Sequence, residues 1–321
     1  MKKWISMLVA VMMLLSVSSC VFAEETAETA PLARVASLKG PTSMGMAKMM
    51  QDDKYDFSIY GTADELTPLL VKGELDIALI PCNLASVLYN NTNGGVKMAA
   101  INVLGVLYVI EAGDTVSSVA DLAGQTVYST GKGTTPEYGL RHVLSLNGLD
   151  PDQDLTIEYK SEATEVAAAL SEGAVSLAVL PQPYVTTVLM QNENLRVALS
   201  LSDEWAAADP NSQMITGVVV VRSDFLAENP EAVDQFLADF DASQAYVNAN
   251  PEEAGQWIAD MGIVGKAAIA TKALPACNIV CITGEDMKTQ AGGYLAALYA
   301  QNPKAVGGAL PADDFYYVPE K

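Results

Sequence analysis

"LVKGELDIALIP", Leu70 to Pro81, decides the fold, because "LSEGAVSLAVLP", Leu170 to Pro181, repeats it 100 residues later. Leu, Gly, Ala and Pro recur at matching places. Each copy reads as the end of a helix, a glycine cap, an apolar run suited to a strand buried on both faces, and a proline that stops it. The flanks repeat as well. "ADELTPLLVKG" matches "ATEVAAALSEG", keeping Ala63/Ala163 and Glu65/Glu165. "FSIYGT" aligns with "LTIEYK", and "ALIPCNLASVLYNN" with "LAVLPQPYVTTVLMQ". Lys39-Gly40-Pro41-Thr42 matches Lys132-Gly133-Thr134-Thr135 at an offset of 93. Elements repeated in one order, with the same turn residues, predict two α/β lobes of like topology, and the period is too long for a solenoid.

Short apolar strands alternating with helical stretches predict parallel sheets covered by helices. "MGMAKMMQ" is expected to be helical, and Asn83 to cap the helix over "NLASVLYNN". After "QMITGVVVVRSDF" the pattern changes. Two helices opened by Asn-Pro, and a third over "GEDMKTQAGGYLAALYAQN", form a helical tail expected to pack on the first lobe. The chain then crosses between lobes twice, near Glu111–Gly113 and near Gln213–Thr216, as a hinge. Gly113 and Gly217 suit either hinge mobility or plain turns. The expected organisation is a signal peptide over 1–19, a tether over 20–31, lobe 1 over 32–111, lobe 2 over 112–213, and the return to lobe 1 over 214–321.

The start carries an export signal. "MKK" precedes the apolar "WISMLVAVMMLLSV", which is short for a membrane span. "VSSC" fits a lipobox with Cys20 as the lipidated residue, and "VFA" fits ordinary cleavage after Ala23. Both place the protein outside the cytoplasm, lipid-anchored to a bacterial membrane or free in the periplasm. Acidic residues outnumber basic ones 39 to 18, for a formal charge of −21. A nucleic-acid partner needs a cationic surface that this chain lacks. An acidic excess keeps an exported protein dispersed, and the chain is expected to be a monomer touching the membrane only through the lipid.

Catalytic constellations are missing from the pattern. His142, the one histidine of the sequence, falls within a helix, and no serine has a recognisable partner. No cofactor or metal is expected: Cys277 and Cys281 offer too few ligands, and with Cys82 they read as free thiols or, for the close pair, as a disulfide. In open α/β sheets ligands bind beyond the carboxyl ends of the strands, where helix N-termini expose backbone N–H groups. Two such lobes face donors across a cleft. Its expected lining is Gly40, Pro41, Thr42, Asn83 and Asn102 from lobe 1, with Lys132, Gly133, Thr134, Thr135, Gln182 and Gln213 from lobe 2. Backbone donors at Thr42 and Thr135 would hold an oxygen. Lys39 and Lys132 serve an anion or the solvated rim, and Tyr60, Tyr184 or Trp205 could stack on a ring or fill the core.

"KGELDIALIPCNLASVLYNN", "SVADLAGQTVYSTGKGTTPEYGLRHVL", "LPQPYVTTVL" and "VGGALPADDFYY" resemble the solute-binding proteins of bacterial ABC importers. The resemblance is to the NMT1-like group of thiamine-pyrimidine, alkanesulfonate and nitrate binders. It implies a type II periplasmic-binding fold that closes over a small organic solute and docks on a membrane permease driven by a separate ATPase. The enzymatic branch of that group uses an active-site histidine and a Cys-rich stretch, neither of which is matched here. Two other readings stay open: an exported enzyme with Glu137 or Glu162 as acid/base, and a sensor that presents its ligand to a receptor.

Overall fold

The computed structural model describes residues 30–210 and 212–319. The expected signal peptide, the lipidation residue Cys20 and the tether through residue 29 lie outside the described residues.

Among the described residues, eleven strands form two mixed sheets. They are β1 (Arg34–Leu38), β2 (Asp56–Tyr60), β3 (Ile77–Pro81), β4 (Val96–Leu104), β5 (Leu107–Ala112), β6 (Thr126–Ser129), β7 (Thr156–Tyr159), β8 (Leu177–Pro181), β9 (Leu195–Ser200), β10 (Ile215–Arg222) and β11 (Ile279–Ile282). The first sheet has the order β11-β4-β10-β3-β1-β2, and the second β7-β6-β8-β5-β9. Reading β2-β1-β3-β10-β4 against β7-β6-β8-β5-β9 shows one topology used twice, with β11 added only to the first. β1 runs parallel to β2 and β3, and β6 parallel to β7 and β8. The fourth strand of each series, β10 or β5, is antiparallel to its neighbours. The expected all-parallel sheets are therefore mixed. Each antiparallel strand is the one that enters its lobe from the other, a relation that hydrophobic periodicity does not encode.

The α-helices are α1 (Pro41–Met44), α2 (Ala63–Val71), α3 (Cys82–Asn91), α4 (Thr135–Leu146), α5 (Ala163–Ser171), α6 (Tyr184–Gln191), α7 (Leu201–Ala208), α8 (Ser223–Glu228), α9 (Pro230–Ala249), α10 (Pro251–Asp260), α11 (Ala267–Ala273) and α12 (Gly284–Gln301). The repeated glutamates have the same local task. Glu65 accepts from Gly61 N and Thr62 N, and Glu165 from Ser161 N and Glu162 N, so each satisfies free donors where α2 or α5 begins. Gly73 and Gly173 both follow their helices at positive φ (78° and 74°), the left-handed conformation that spares glycine a steric cost. Strands β2 and β7 begin at Asp56 and Thr156, so "LTIEYK" stands opposite "YDFSIY", two residues from the alignment read in the sequence. The expected helix over "MGMAKMMQ" starts earlier, at Pro41, where the ring suits the first helical position, and ends at Met44. A 3-10 turn over Met49–Gln51 follows.

The first crossing is not at Glu111–Gly113. β4 ends in sheet one at Leu104 and β5 starts in sheet two at Leu107, leaving Gly105-Val106 as the link. Gly113 lies past the far end of β5, where its carbonyl accepts from Arg196 Nε at 2.9 Å. Beside it Glu111 takes an ion pair from Arg196 and hydrogen bonds from Thr115 and Val116. The return crossing lies between the end of α7 at Ala208 and the start of β10 at Ile215. The two crossings touch: a Cβ on Gly105 would lie 2.0 Å from Ser202 Oγ and 3.0 Å from Met214 Cβ. Only a residue without a side chain fits at Gly105.

The tail does pack on lobe 1, where Val233, Phe236, Leu237 and Phe240 of α9 join Val35, Ile77, Leu79 and Val219 in one buried cluster. It also reaches lobe 2. Met287, Ala291, Tyr294, Leu295 and Leu298 of α12 share a second cluster with Ile80 and Met98 of lobe 1 and with Leu107, Leu140, Val143 and Trp205 of lobe 2. The lobes are thus fused by a common apolar core along one side, worth about 1.5–3 kcal/mol for each large side chain withdrawn from water.

Candidate functional site

More than half of the polar residues buried among the described residues gather just beyond or beside the strand ends of both lobes. Thr42 and Ser43 follow β1, Asn83 follows β3, Ser129 and Thr130 close β6, Thr135 opens α4, and Gln182 and Thr186 follow β8. Burying such groups is unfavourable unless each finds a partner, and most do so locally. Thr42 Oγ1 and Ser43 Oγ both donate to Leu38 O. Gln182 Oε1 accepts from Thr186 N and from Thr186 Oγ1 at 2.8 Å. Gln182 N donates to Val106 O at 3.0 Å, which ties the end of β8 to the first crossing.

A cavity of about 450 Å³ opens between the lobes. Ala63, Asp64, Pro81, Asn83, Leu84 and Val87 line it from lobe 1. Gly133, Thr134 and Tyr138 line it from lobe 2, and Lys304 and Ala305 of the C-terminal segment complete it. Of the residues expected to share a cleft, Asn83, Gly133 and Thr134 meet here. Gly133 N donates to Glu137 Oε2 at 2.6 Å, and Thr134 Oγ1 donates to Gly131 O, so this turn is braced before any ligand arrives.

The other expected residues are placed differently. Gly40 and Pro41 form the turn that starts α1. Asn102, fully buried on β4, donates from Nδ2 to Thr42 O at 2.9 Å while its Oδ1 is unpartnered. It supports the turn from beneath. Lys132 Nζ sits 5.7 Å from the Tyr159 ring centroid. Gln213 is exposed on the return crossing. Thr135 is buried against lobe 1, accepting from Tyr294 Oη. Asn83 is not a cap: α3 starts one residue earlier, and Asn83 Nδ2 donates to Ala305 O at 3.3 Å.

Trp205 is fully buried between His142 (4.1 Å between ring centroids) and Tyr294 (5.6 Å), with Nε1 donating to Ser212 Oγ. It is core, not a platform for a ligand ring. Burial lowers the His142 pKa, against an opposing pull from Asp209. Cys82, Cys277 and Cys281 are free thiols. Burial raises the first two and pushes Cys281 up to about 12, so all three stay protonated near neutral pH. Glu162 stands at the start of α5 with its side chain in a capping arrangement. Among the described residues no group of His, Cys, Asp and Glu could hold a metal ion, and no helix is long and apolar enough to cross a membrane.

Sequence reading missed the C-terminal contribution. Ser86 Oγ and Asn90 Nδ2 donate to Val306 O at 2.8 Å, and Asn90 Nδ2 also to Ala309 O. Asn302 Nδ2 reaches Tyr138 Oη and Gln301 Nε2 reaches Tyr138 O, on lobe 2. Asn83, Ser86 and Asn90 lie on one face of α3 at helical spacing, a polar stripe that could have signalled a bound segment.

The comparisons agree with this architecture. The model of the family described as "NMT1/THI5 like" matches residues 96–254. A Brucella abortus protein named "Putative binding protein" is 26% identical over 201 residues, 63% of this chain and 60% of its own length. The chain thus matches about three fifths of the length of its curated relatives. A crystal structure titled as an ABC transporter from Parabacteroides distasonis is similar at 26% identity and TM-score 0.76, covering 90% of this chain and 99% of that one. The periplasmic aliphatic sulphonate binding protein of Escherichia coli has the same fold at 17% identity and TM-score 0.71, covering 90% and 92%. Residues 96–254 are therefore NMT1/THI5-like in sequence, and the chain has the two-lobed α/β fold of periplasmic solute-binding proteins of ABC transporters.

Proposed function

We propose that this protein is the extracytoplasmic solute-binding component of an ABC importer. It captures a small organic solute between its lobes and delivers it to a membrane permease. The observation that carries this reading is the convergence of strand ends from both lobes on one cavity: Pro81 and Asn83, at the end of β3 and just beyond it, line it with Gly133 and Thr134 after β6. The two touching crossings at Gly105 and Met214 supply a hinge about which the lobes can move. The volume suits a small molecule. The export signal read in the sequence supports a place outside the cytoplasm, lipid-anchored through Cys20 or free in the periplasm after cleavage at Ala23. The two acids suited to an acid/base role brace helix starts instead: Glu137 holds Gly133 N, and Glu162 stands in a capping arrangement at the start of α5, which favours capture over turnover.

Thermal-shift screening of purified protein against sulfonates, carboxylates, nitrate and pyrimidines tests the reading. A true ligand raises the melting temperature with the logarithm of its concentration over its Kd, and is recovered chemically unchanged. Asn83→Leu with Thr134→Val should abolish that shift while sparing the unliganded melting temperature within a few degrees. Chemical turnover of the bound compound, or no stabilisation by any member of the screen, sinks the proposal.

A further inference from the structure

We infer that the cavity selects a zwitterionic solute, with Lys304 receiving its anionic group and Asp64 its ammonium. This rests on the solute-capture reading above and names the chemistry of that site.

Lys304 and Asp64 line the same cavity. They are the two charged residues of its lining, they have opposite sign, and neither takes part in an ion pair among the described residues. Two lysines of lobe 2 lie against aromatic rings instead: Lys132 over Tyr159 and Lys160 over Tyr128. Lys304 also stands on a fixed support. Its backbone N donates to Asn302 Oδ1, and the carbonyls of the next two residues are held by Asn83, Ser86 and Asn90 of α3. Asn302 in turn donates to Tyr138 on lobe 2. The segment around Lys304 is thus strapped to both lobes at the mouth of the cavity. Because the strap is already ordered, only the lysine side chain itself gives up freedom on binding.

Asp64 is held as firmly, in the first turn of α2, whose start is fixed by Glu65. An anion alone would meet Lys304 but face the Asp64 carboxylate. A cation alone would meet Asp64 but face Lys304. A molecule with both charges satisfies each wall, and the remaining polar lining, Asn83 and Thr134, can serve either end. Sulfonate and carboxylate share the anionic chemistry that Lys304 would recognise.

Five probes of similar size separate these features: ethanesulfonate, 2-aminoethanesulfonate, propionate, β-alanine and propylamine. Each is titrated by calorimetry into the wild type, Lys304→Met, Lys304→Arg and Asp64→Asn. The expected result is that a zwitterion binds more tightly than its singly charged analogue. Comparison of the sulfonate and carboxylate pairs identifies the anionic head. Lys304→Met should weaken the zwitterion about ten- to hundredfold, the worth of a hydrogen bond to a charged group. Lys304→Arg should restore most of the loss. Asp64→Asn should erase the advantage of the zwitterion over the simple anion. Both side chains are exposed, so the variants should fold with unchanged melting temperatures, which is checked first. Tighter binding of a singly charged probe, equal binding after Lys304→Met, or no binding of any probe overturns the assignment. Stabilisation by a different solute in the wider screen, untouched by Lys304→Met, would overturn this inference alone and leave solute capture standing.

Discussion

Tyr294 Oη donates to Thr135 Oγ1 across 3.4 Å, joining α12 of the first lobe to the start of α4 in the second. Tyr294 also packs on Trp205, which packs on His142. At this point the lobes meet through a long, weak hydrogen bond beside a large apolar contact, with further hydrogen bonds from Asn302 and Gln301 to Tyr138. Tyr294→Phe should cost no more than about 0.5–1 kcal/mol, because a hydrogen bond of this kind adds little net stability. Trp205→Ala should cost about 3–5 kcal/mol, the range for deleting a buried indole. Urea unfolding of the two variants checks the order, and a larger loss for Tyr294→Phe would show that the hydroxyl, not the packing, holds the lobes.

Gly217 has no room for a side chain. A Cβ there would lie 2.6 Å from Asn102 Oδ1 and 2.8 Å from Thr42 Cγ2. Gly217→Ala should destabilise the protein by about 1–3 kcal/mol through overpacking. It should also push the Thr42 turn away from its support and weaken solute binding. Chemical unfolding gives the first effect and calorimetric titration the second. An unchanged affinity would mean that the turn after β1 takes no part in binding.

The repeat made the lobes legible because it preserved chemistry with a fixed structural consequence. Glu65 and Glu165 brace helix starts, and Gly73 and Gly173 turn at positive φ. The crossings were not legible. β4 and β5 read as two apolar strands with a short link, and only pairing shows that Gly105 separates two sheets. β11 was hidden as well, since "NIVCI" has no turn signal that distinguishes an edge strand. In the site, helix starts told where backbone donors would lie, and Asn83, Gly133 and Thr134 do line one cavity. Side-chain destinations were beyond reach. Asn102 and Gln182 point to neighbours set by tertiary packing, and Lys304 comes from more than 200 residues away in sequence to meet Asn83's helix.

Asp76 is 4% exposed at the start of β3 and holds two arginines. Arg34 binds it through Nε, Nη2 and its backbone N, and Arg222 through Nη2 at 3.1 Å. Burial pushes its pKa up, but the combined hydrogen bonds from Arg34 and Arg222 outweigh that and hold the carboxyl below its ordinary value. A depressed carboxyl stabilises the fold fully above the unfolded-state pKa, about 3.9. That stability is lost as pH falls from there through the lower folded-state value. Asp76→Ala should cost about 3 kcal/mol at neutral pH, the low end for breaking a buried pair, because the Arg34 side chain is 41% exposed and can return to water. The gap between wild type and variant should narrow below about pH 4. Denaturation midpoints measured from pH 7 to pH 2.5 decide it, and a gap independent of pH would assign the loss to packing alone.

His142 gives the opposite end of the pH range a single reporter. It is the one histidine of the sequence. Its Nε2 is buried without a partner and its ring lies against Trp205. Burial lowers its pKa, and the pull of Asp209 the other way is the smaller effect. The unfolded chain then takes up a proton near pH 6.5, while the folded chain resists it. Stability contributed by the neutral ring is complete above about pH 6.5 and declines as pH falls toward the folded-state pKa. The imidazole proton resonances of the native protein should titrate with a midpoint below 6.5. His142→Gln should remove the decline in stability between about pH 6.5 and that midpoint. A native midpoint at or above 6.5 would show that the ring is solvated or paired with acid, and that the stack on Trp205 does not exclude water from it.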